Sequence, residues 1–396
     1  MHRVPYWRLS AYYFTYFSFI GVFAPYFGLY LQSLSFSAWE IGLLMSQMQL
    51  MRLFGPYLWG VLADRSGQRL WIVRLTSLAA LLVFSAIFFL SSFAALMIAI
   101  AVLAFFWTAA LPLVEALTFD HLREDSARYS RIRLWGSVGF IVAVMLAGVL
   151  LDHLPLISMI WFSVAILITI VFSSLLVPEA PVAHSVEEPA PLGEILRQPR
   201  VRALLAASFA MAAAHGALNI FYTIFLSDHG YSKATVGSLF SLGVVAEIAV
   251  FFVMSRVMRR FSLRTILIVS FSTSVLRFVM IGWGVDLIGV LVLTQLMHGL
   301  TFGAFHAAAI SAINRWFPGR TRSRGQALYS SLSFGGGGLF GGVISGWTWD
   351  HLGGQLTFAL GSLYALIGLV LVLGWVRGED VGEQNSTCVV DASDTL

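Results

Sequence analysis

The chain has 396 residues, of which 58% are hydrophobic and 11% are charged, and its mean hydropathy is +0.83. Because soluble globular domains are about half apolar and a quarter charged, this composition excludes a water-soluble enzyme and predicts a membrane protein. The formal net charge of +4 comes from basic residues spread along the edges of apolar runs, which argues against a nucleic-acid partner, and the single cysteine, Cys388, excludes disulfides and thiolate metal sites.

Apolar runs of about twenty residues recur along the chain, and each could cross a hydrocarbon core of about 30 Å as a helix. Charged breaks and breaks with proline or glycine divide the first half into spans 1 to 6, at residues 7–32, 39–62, 70–92, 93–119, 131–152 and 154–177. Spans 7 to 12 follow at 201–227, 234–256, 263–285, 286–314, 326–349 and 354–376. We therefore expect an all-α membrane protein with twelve transmembrane helices in two six-helix bundles.

The residues outside the spans set the expected domain boundaries. Residues 178–199 are rich in proline and glutamate and predict a solvated linker. The polar and acidic residues 378–396 predict a disordered tail. The expected domains are an N-terminal bundle at 1–177, the linker at 178–199, a C-terminal bundle at 200–377 and a cytoplasmic tail at 378–396.

Basic residues mark one side of these spans. They cluster near residues 3–8, 65–74, 123–133, 197–202, 256–264, 315–324 and at 377, whereas the loops of the opposite side hold one basic residue, Lys233. Cytoplasmic loops carry such an excess of arginine and lysine. We therefore expect a multi-pass protein of the inner (cytoplasmic) membrane, with both termini and the linker in the cytoplasm. We also expect it to be a monomer.

The two halves of the chain also resemble each other locally. A shift of 195 residues aligns Leu29–Gly42 with Ile224–Gly237, so span 7 restarts the pattern of span 1. Transporters are often built from such repeats with a substrate site between them. The sequence contains no ATP-binding motif and no nucleophile or metal motif of an enzyme, so we expect transport driven by an ion gradient, without a cofactor or a metal.

A charged turn between spans 2 and 3 reads Gly60-Val-Leu-Ala-Asp-Arg-Ser-Gly-Gln-Arg69. It resembles the signature loop of the major facilitator superfamily, G-x-x-x-D-R-x-G-R-R, with Gln68 where an arginine is usual. Together with the twelve spans, the resemblance covers span 1 to span 12 and implies two bundles that rock around a central site. It also implies that Asp64 faces span 11 and that Asp64 and Arg65 gate the carrier. The alternative is a turn that only sets topology.

Ionisable residues inside apolar spans are the strongest candidates for function, since each costs about 2.5–3.5 kcal/mol on insertion scales. Within the spans these residues are Arg52, Glu115, Glu247, Arg277, His298 and His306, and Arg133 opens span 5. His215 and Asn219 add polar groups to span 7. We expect the substrate and the driving ion to bind among these side chains.

Glu115 on span 4 and Arg133 on span 5 suggest an ion pair across two helices. The arrangement resembles the lactose permease family of oligosaccharide:proton symporters, in which a glutamate and an arginine at these places grip the sugar and an aromatic residue, here Phe140, stacks on it. The alternative is a pair that only tethers two helices. We expect the substrate site to include Arg52 and further polar or aromatic side chains: Tyr26, Tyr30, Trp107 and Asn219.

Glu247 on span 8, Arg277 on span 9 and His298 on span 10 are expected to form a proton-coupling cluster, at the level where the same family couples protons. The coupling glutamate of that family, one turn beyond the histidine, is Thr301 here. Proton carriage therefore falls to Glu247, His298 or His306. Glu247 is preferred, because burial and a nearby arginine shift the pKa of a carboxyl in opposite directions and can poise it to load and release a proton. Each histidine could alternatively be a packing residue that hydrogen-bonds across helices.

Four tracts resemble the phenylpropionate permease branch of the superfamily more closely: residues 13–17, 131–138, 295–302 and 326–330. This resemblance implies import of a small aromatic or other organic acid together with a proton. The excess of Arg52, Arg133 and Arg277 over Glu115 and Glu247 fits an anionic substrate. The alternatives are a sugar or nucleoside:proton symporter, a drug efflux antiporter and a membrane receptor that transports nothing.

Overall fold

The computed structural model describes residues 4–122, 127–179 and 192–376, and in these ranges the chain forms helices and turns without a strand. The tail at 378–396 and most of the linker at 178–199 lie outside the described residues. The first half contains α1 Tyr6–Ser33, α2 Ala38–Arg52, α3 Gly55–Ser66, α4 Arg69–Ala86, α5 Phe93–Leu122, α6 Ala127–His153 and α7 Ser158–Leu176. The second half contains α8 Gly193–Arg197, α9 Pro199–Ala214, α10 Gly216–Asp228, α11 Lys233–Arg260, α12 Leu263–Trp283, α13 Ile288–Leu296, α14 Phe305–Trp316, α15 Arg322–Ser330 and α16 Gly338–Trp375.

Ten helical runs among the described residues are long and apolar enough to cross a membrane. Span 2 is not one of them, because its helix is interrupted at Leu53 and Phe54, which leaves 15 residues in α2 and 12 in α3. Spans 11 and 12 form one run of 54 residues, Arg322–Trp375, which turns at Gly353 with a φ of +80° that favours glycine. Span 2 adds one span to the ten runs, and the run of 54 residues counts as two spans. The prediction of twelve spans in an all-helical protein is therefore confirmed.

Spans 7, 10 and 11 are not continuous α-helices. Span 7 breaks at His215, between α9 and α10. π-Helical turns at Gly299–Ala304 and Ser331–Gly337 interrupt spans 10 and 11. Such turns occur frequently at functional sites. The irregular backbone of spans 7 and 10 adjoins two residues that the sequence singles out, His215 and His298.

Contacts within the described chain group it into two compact units that do not follow the sequence halves. Unit 1 contains the described residues of Met1–Val186, Gly216–Ser241 and Gly342–Gly354. Unit 2 contains those of Glu187–His215, Leu242–Gly341 and Gln355–Leu396. Unit 1 therefore joins spans 1 to 6 with α10, the start of α11 and part of α16. The bundle boundaries at residues 177 and 200 remain predictions.

Glycines let α1 and α6 pack closely along each other in unit 1. A side chain at Gly136 would collide with Phe17, and one at Gly139 would collide with the backbone of Phe14. Small residues are common at such contacts because they allow two helix backbones to approach within the membrane. The contact holds the polar residues of α6 against the aromatic face of α1.

Two arginines near the starts of spans 3 and 9 bind the carbonyl ends of other helices. In unit 1, Arg74 donates to the carbonyls of Ser174 and Leu175 near the end of α7, at 3.3 Å each. In unit 2, Arg264 donates to the Leu373 carbonyl near the end of α16, at 2.9 Å. The last carbonyls of a helix lack intrahelical partners and carry the negative end of its dipole. These arginines therefore stabilise the fold as well as contributing to the charge asymmetry of the sequence.

Candidate functional site

The predicted substrate residue Arg133 lies over an aromatic face of α1 in unit 1. Its guanidinium carbon is 3.9 Å from the centroid of the Phe17 ring and 6.0 Å from that of the Tyr13 ring. Gly136, one turn further along α6, makes room for this arrangement, because a side chain there would touch Phe17 and the guanidinium. A cation over an aromatic ring is stabilised by about 0.5–2 kcal/mol. Arg133 is therefore held in place while it remains partly accessible.

Glu115 and Arg133 lie near each other without a direct ion pair. Glu115 Oε1 accepts a hydrogen bond from the Tyr129 hydroxyl at 3.0 Å, and the charge of Arg133 acts on Glu115 electrostatically. Within the described ranges, no nitrogen of Arg133 comes within 4.0 Å of an acidic oxygen. The structure therefore brings the two predicted residues into one cluster, but the hydrogen-bond partner of the carboxylate is Tyr129.

Three members of this cluster were not predicted as site residues: Tyr13, Phe17 and Tyr129. Tyr13 and Phe17 are four residues apart on α1, so they share a helix face. The Tyr13 hydroxyl also bonds with the Thr118 hydroxyl of α5, at 3.3 Å. The helical spacing of aromatic residues in 13–17 was a usable signal, whereas Tyr129 lies just before span 5 and its sequence context gives no such signal.

Trp107 packs against the aromatic row of α1 at Tyr16, and Arg52 is the last residue of α2. The rings of Tyr16 and Trp107 are stacked, with centroids 4.3 Å apart and an angle of 12° between their planes. Arg52 donates to Gln49 at 3.3 Å and is exposed. Trp107 is buried. Trp107 therefore packs beside the cluster, whereas Arg52 is an accessible cation.

Three other predicted substrate residues, Phe140, Tyr26 and Tyr30, lie farther along α6 and α1. Phe140 is two turns further along α6, which is about 10 Å at 1.5 Å per residue. Tyr26 and Tyr30 are buried and lie about 15–25 Å along α1 from the aromatic residues of the cluster. Asn219 is exposed on α10. The structure does not bring Tyr26 and Tyr30 together with Arg133.

A fully buried arginine organises a second cluster, in unit 2. Arg277 Nε donates to the Thr294 carbonyl at 2.7 Å, and one terminal nitrogen lies 2.9 Å from Thr301 Oγ1 and 3.4 Å from Nε2 of His215. Because arginine can only donate, His215 Nε2 must accept, and its Nδ1–H then donates to the Met211 carbonyl at 2.8 Å. His215 is therefore a neutral imidazole in this arrangement. Thr301, which replaces the glutamate of the similar family, is a hydrogen-bond partner of the arginine.

Glu247 and His298 face each other between α11 and span 10. Glu247 Oε2 is 3.9 Å from Nε2 of His298, and the His298 ring centroid is 6.2 Å from that of His215. Gly243 on α11 and Gly299 on the π-helical turn let the two spans approach closely. The Glu247 and His298 side chains remain 22% and 19% exposed. The structure thus brings together the predicted coupling residues of spans 8, 9 and 10.

Rings stack along span 10 from His298 to His306. The Phe302 ring centroid is 5.4 Å from that of His298 and 6.0 Å from that of His306, with 10° between the planes in each pair. His306 Nδ1 also lies 3.1 Å from the Tyr329 hydroxyl, which connects α14 with α15. His306 therefore bonds to a neighbouring helix, and Phe302 separates it from the cluster around Glu247.

The turn proposed to gate the carrier is attached to α5 through Arg69. Asp64 is 74% exposed and its nearest basic partner is Arg69, at 3.7 Å. Arg69 makes a much shorter ion pair with Asp120, at 2.6 Å, and both of these side chains are 19% exposed. Arg65 is exposed. Asp120, which the sequence analysis did not single out, is therefore the main electrostatic partner of this turn.

The helical spans, with charged clusters buried inside them, define a membrane carrier, and comparison with known families agrees. Residues 6–360 match the model of the "MFS_1 like family". The protein is a multi-pass secondary transporter of the major facilitator superfamily, with the fold of that superfamily. Within the superfamily, the chain belongs to the MFS_1 like family.

Individual relatives are transporters rather than enzymes. The chain is 29% identical to the "Probable 3-phenylpropionic acid transporter" of Escherichia coli (strain K12), over 86% of this chain and 90% of that protein. It is 26% identical to the maltose permease of Geobacillus stearothermophilus, over 94% and 95% of the two chains. The crystal structure of the nucleoside transporter NupG superposes with a TM-score of 0.83 at 18% identity, over 94% of this chain and 99% of that one.

Proposed function

We propose that this transporter imports a small aromatic or other organic acid together with a proton, by alternating access across the inner membrane and with both termini in the cytoplasm. The observation that carries the proposal is Arg133, held over the Phe17 ring with its guanidinium partly accessible. A carboxylate can accept two parallel hydrogen bonds from such a guanidinium. An aromatic acid would place its carboxylate on Arg133 and its ring near Phe17 and Tyr13.

The proton would be carried by the cluster around Glu247. His215 is neutral and supplies no charge to this cluster. An ionised Glu247 would therefore be the group that offsets the charge of Arg277. Protonation of Glu247 would then change the cluster by one unit of charge, and moving one charge through the membrane is worth about 2.3 kcal/mol per 100 mV. The partial exposure of Glu247 gives it a route to water. Arg277, His298 and His306 would tune this proton site, and Asp64 and Arg65 would take part in gating.

A sugar or nucleoside:proton symporter is the second candidate. Glu115 favours it, since a carboxylate that accepts from a tyrosine hydroxyl can also accept from the hydroxyls of a sugar. The names of the maltose permease and of NupG support the same direction. This candidate requires Glu115 to contact the substrate, whereas the acid candidate requires Arg133 to do so.

Uptake into proteoliposomes with an imposed pH gradient tests both candidates. The probes are radiolabelled 3-phenylpropionate, maltose and a nucleoside, each measured with and without a protonophore. We expect 3-phenylpropionate to accumulate only with the gradient and Arg133→Gln to abolish this accumulation. Selective uptake of maltose or the nucleoside would instead support the second candidate, and binding of any probe without flux would indicate a receptor.

A further inference from the structure

Two aspartates at helix ends hold the first turns of two other helices, all within unit 1. Asp350 Oδ1 and Oδ2 accept hydrogen bonds from the backbone N–H groups of Ala38 and Trp39, at 3.0 and 2.8 Å. Asp152 does the same, with Lys233 N–H on Oδ1 at 2.7 Å and Ala234 N–H on Oδ2 at 3.0 Å. These donors belong to the first two residues of α2 and α11.

Each capped helix already has a local cap of its own. The Ser37 hydroxyl accepts from the Glu40 N–H at 3.2 Å at the start of α2, and the Ser232 hydroxyl accepts from the Thr235 N–H at 3.1 Å at the start of α11. A helix N-terminus leaves its first N–H groups without intrahelical partners. The serine satisfies one of these groups, and the distant aspartate satisfies two more.

The two contacts are equivalent under the internal repeat. Gly148-Val-Leu-Leu-Asp152-His-Leu and Gly346-Trp-Thr-Trp-Asp350-His-Leu carry the aspartates 198 residues apart, and the capped helix starts lie 195 residues apart. Asp152 belongs to the first half and caps a helix of the second. Asp350 belongs to the second half and caps a helix of the first. Each half therefore contributes one aspartate and one helix N-terminus.

Glycines bring the helix ends to backbone distance beneath both caps. A side chain at Gly148 would collide with the Lys233 carbonyl, and one at Gly346 would collide with the Ala38 carbonyl. One turn into each capped helix, a side chain at Gly42 or Gly237 would meet backbone atoms of the facing helix. The aspartates can reach the helix N-termini because nothing larger than a hydrogen atom stands between the backbones.

Both caps lie on the side opposite to the arginine-rich loops. The loops that follow spans 1, 5, 7 and 11 carry Lys233 as their one basic residue. The carboxylates sit at helix N-termini, where the dipole favours negative charge, and all of these polar groups are at exposed ends. Water could replace the aspartate at each N-terminus, so the contacts are suited to form and break repeatedly.

We propose that Asp152 and Asp350 form a paired latch that keeps the outer side of the transporter closed, and that opening to the outside requires both caps to be released. The proposal rests on the orientation given under the proposed function, and not on the substrate or the proton. Because the two caps share no hydrogen-bond partner, their contributions to the closed state should add as free energies, and their effects on opening should multiply.

The test is the reactivity of one buried thiol. Ser46 on α2 is buried beneath the Asp350 cap and lies against Gly342, so Ser46→Cys in a Cys388→Ser background reports opening of this contact. The rate of its reaction with a membrane-impermeant maleimide is measured from the outside of cells. We expect Asp152→Asn and Asp350→Asn each to raise the rate several-fold, and the double variant to raise it by the product of the two factors.

Asp286→Asn is the matched control. Asp286 is an exposed acid on a loop of the same side and caps no helix in the described part of the chain, so its loss should leave the labelling rate unchanged. Unchanged labelling in both single variants, with normal amounts of folded protein in the membrane, would overturn the latch. If labelling rises only from the cytoplasmic side, the orientation is wrong. Labelling needs neither substrate nor proton, so failure of the proposed transport function would leave this result standing.

Discussion

A terminal nitrogen of Arg277 donates to Nε2 of His215 in the interior of unit 2, and this bond fixes which nitrogen of the imidazole carries the hydrogen. The arginine is fully buried and receives additional support from the Thr294 carbonyl and the Thr301 hydroxyl. A buried guanidinium needs acceptors, since leaving a buried charged group without a hydrogen bond costs more free energy than leaving a neutral group without one. The break of span 7 at His215 therefore serves to place an acceptor next to Arg277.

His215→Ala should destabilise the protein. It removes an acceptor from a buried arginine, and a hydrogen bond to a charged group is worth about 1.5–3 kcal/mol. The measurement is the free energy of unfolding of the purified protein in detergent micelles. His351→Ala is the control, because His351 makes the same bond to a carbonyl four residues earlier, at 2.8 Å, but is exposed. Equal losses for the two variants would contradict the role assigned to His215.

Phe17→Leu should weaken substrate binding without removing the charge that binds it. Loss of the ring beneath Arg133 removes a cation–π interaction of about 0.5–2 kcal/mol, so we expect KM for the acid to rise about 2- to 30-fold. Arg133→Lys should also raise KM, because an ammonium lacks the planar fork that pairs with a carboxylate. Uptake kinetics in proteoliposomes measure both effects.

Arg131→Gln is the control for this site. Arg131 is an exposed arginine two residues earlier on the same helix, so its replacement removes one positive charge from α6 without touching Phe17. Its KM should stay near that of the unmodified protein. If Arg131→Gln abolished accumulation as Arg133→Gln is expected to do, α6 would attract the substrate through general charge and not through a defined site.

The spans, their number and the ionisable residues inside them could be predicted from the sequence, because apolar length and buried charge are local properties of the chain. Glu247 and His298 were expected to lie together, and they do so because glycines on spans 8 and 10 allow close approach. The partner of Glu115 could not be predicted. It depends on how α6 rotates to bring Tyr129 near α5, which periodicity does not determine.

The latch aspartates show the same limit more clearly. Asp152 and Asp350 lie at helix ends, next to loops whose charge served only to predict the orientation. Their hydrogen bonds join residues 81 and 312 positions apart, and no local pattern indicates such a pairing. The repeated Asp-His-Leu sequence was the available signal, since two copies near the repeat spacing indicate that the two helix ends make equivalent contacts.

Asp120→Asn should affect the charged turn more than Asp64→Asn. Arg69 lies 2.6 Å from Asp120, where both side chains are 19% exposed, but 3.7 Å from Asp64, which is 74% exposed. Exposed pairs contribute about 0–1 kcal/mol and breaking a buried pair costs about 3–5 kcal/mol, so the partly buried pair should lie between these values. Double-mutant cycles on the free energy of unfolding measure the difference, with one cycle for Arg69 and Asp120 and one for Arg69 and Asp64. A larger coupling for 64 would reverse the assignment.

Glu247→Gln should separate transport from its driving force. The amide keeps the size of the side chain but cannot exchange a proton, so the pH gradient should no longer raise the internal substrate concentration above the external one. Counterflow exchange of substrate, which needs no net proton movement, should persist. Both are measured on the same proteoliposomes.

Glu194→Gln is the control for this prediction, because Glu194 is an exposed acid on the short helix α8. This variant should retain full accumulation. Uphill uptake that survives intact in Glu247→Gln would remove Glu247 from the coupling mechanism and would leave His298 and His306 as the remaining predicted proton carriers. Loss of both uptake and counterflow would place Glu247 in substrate binding, in which case substrate affinity, measured directly by equilibrium binding, should fall in the same variant.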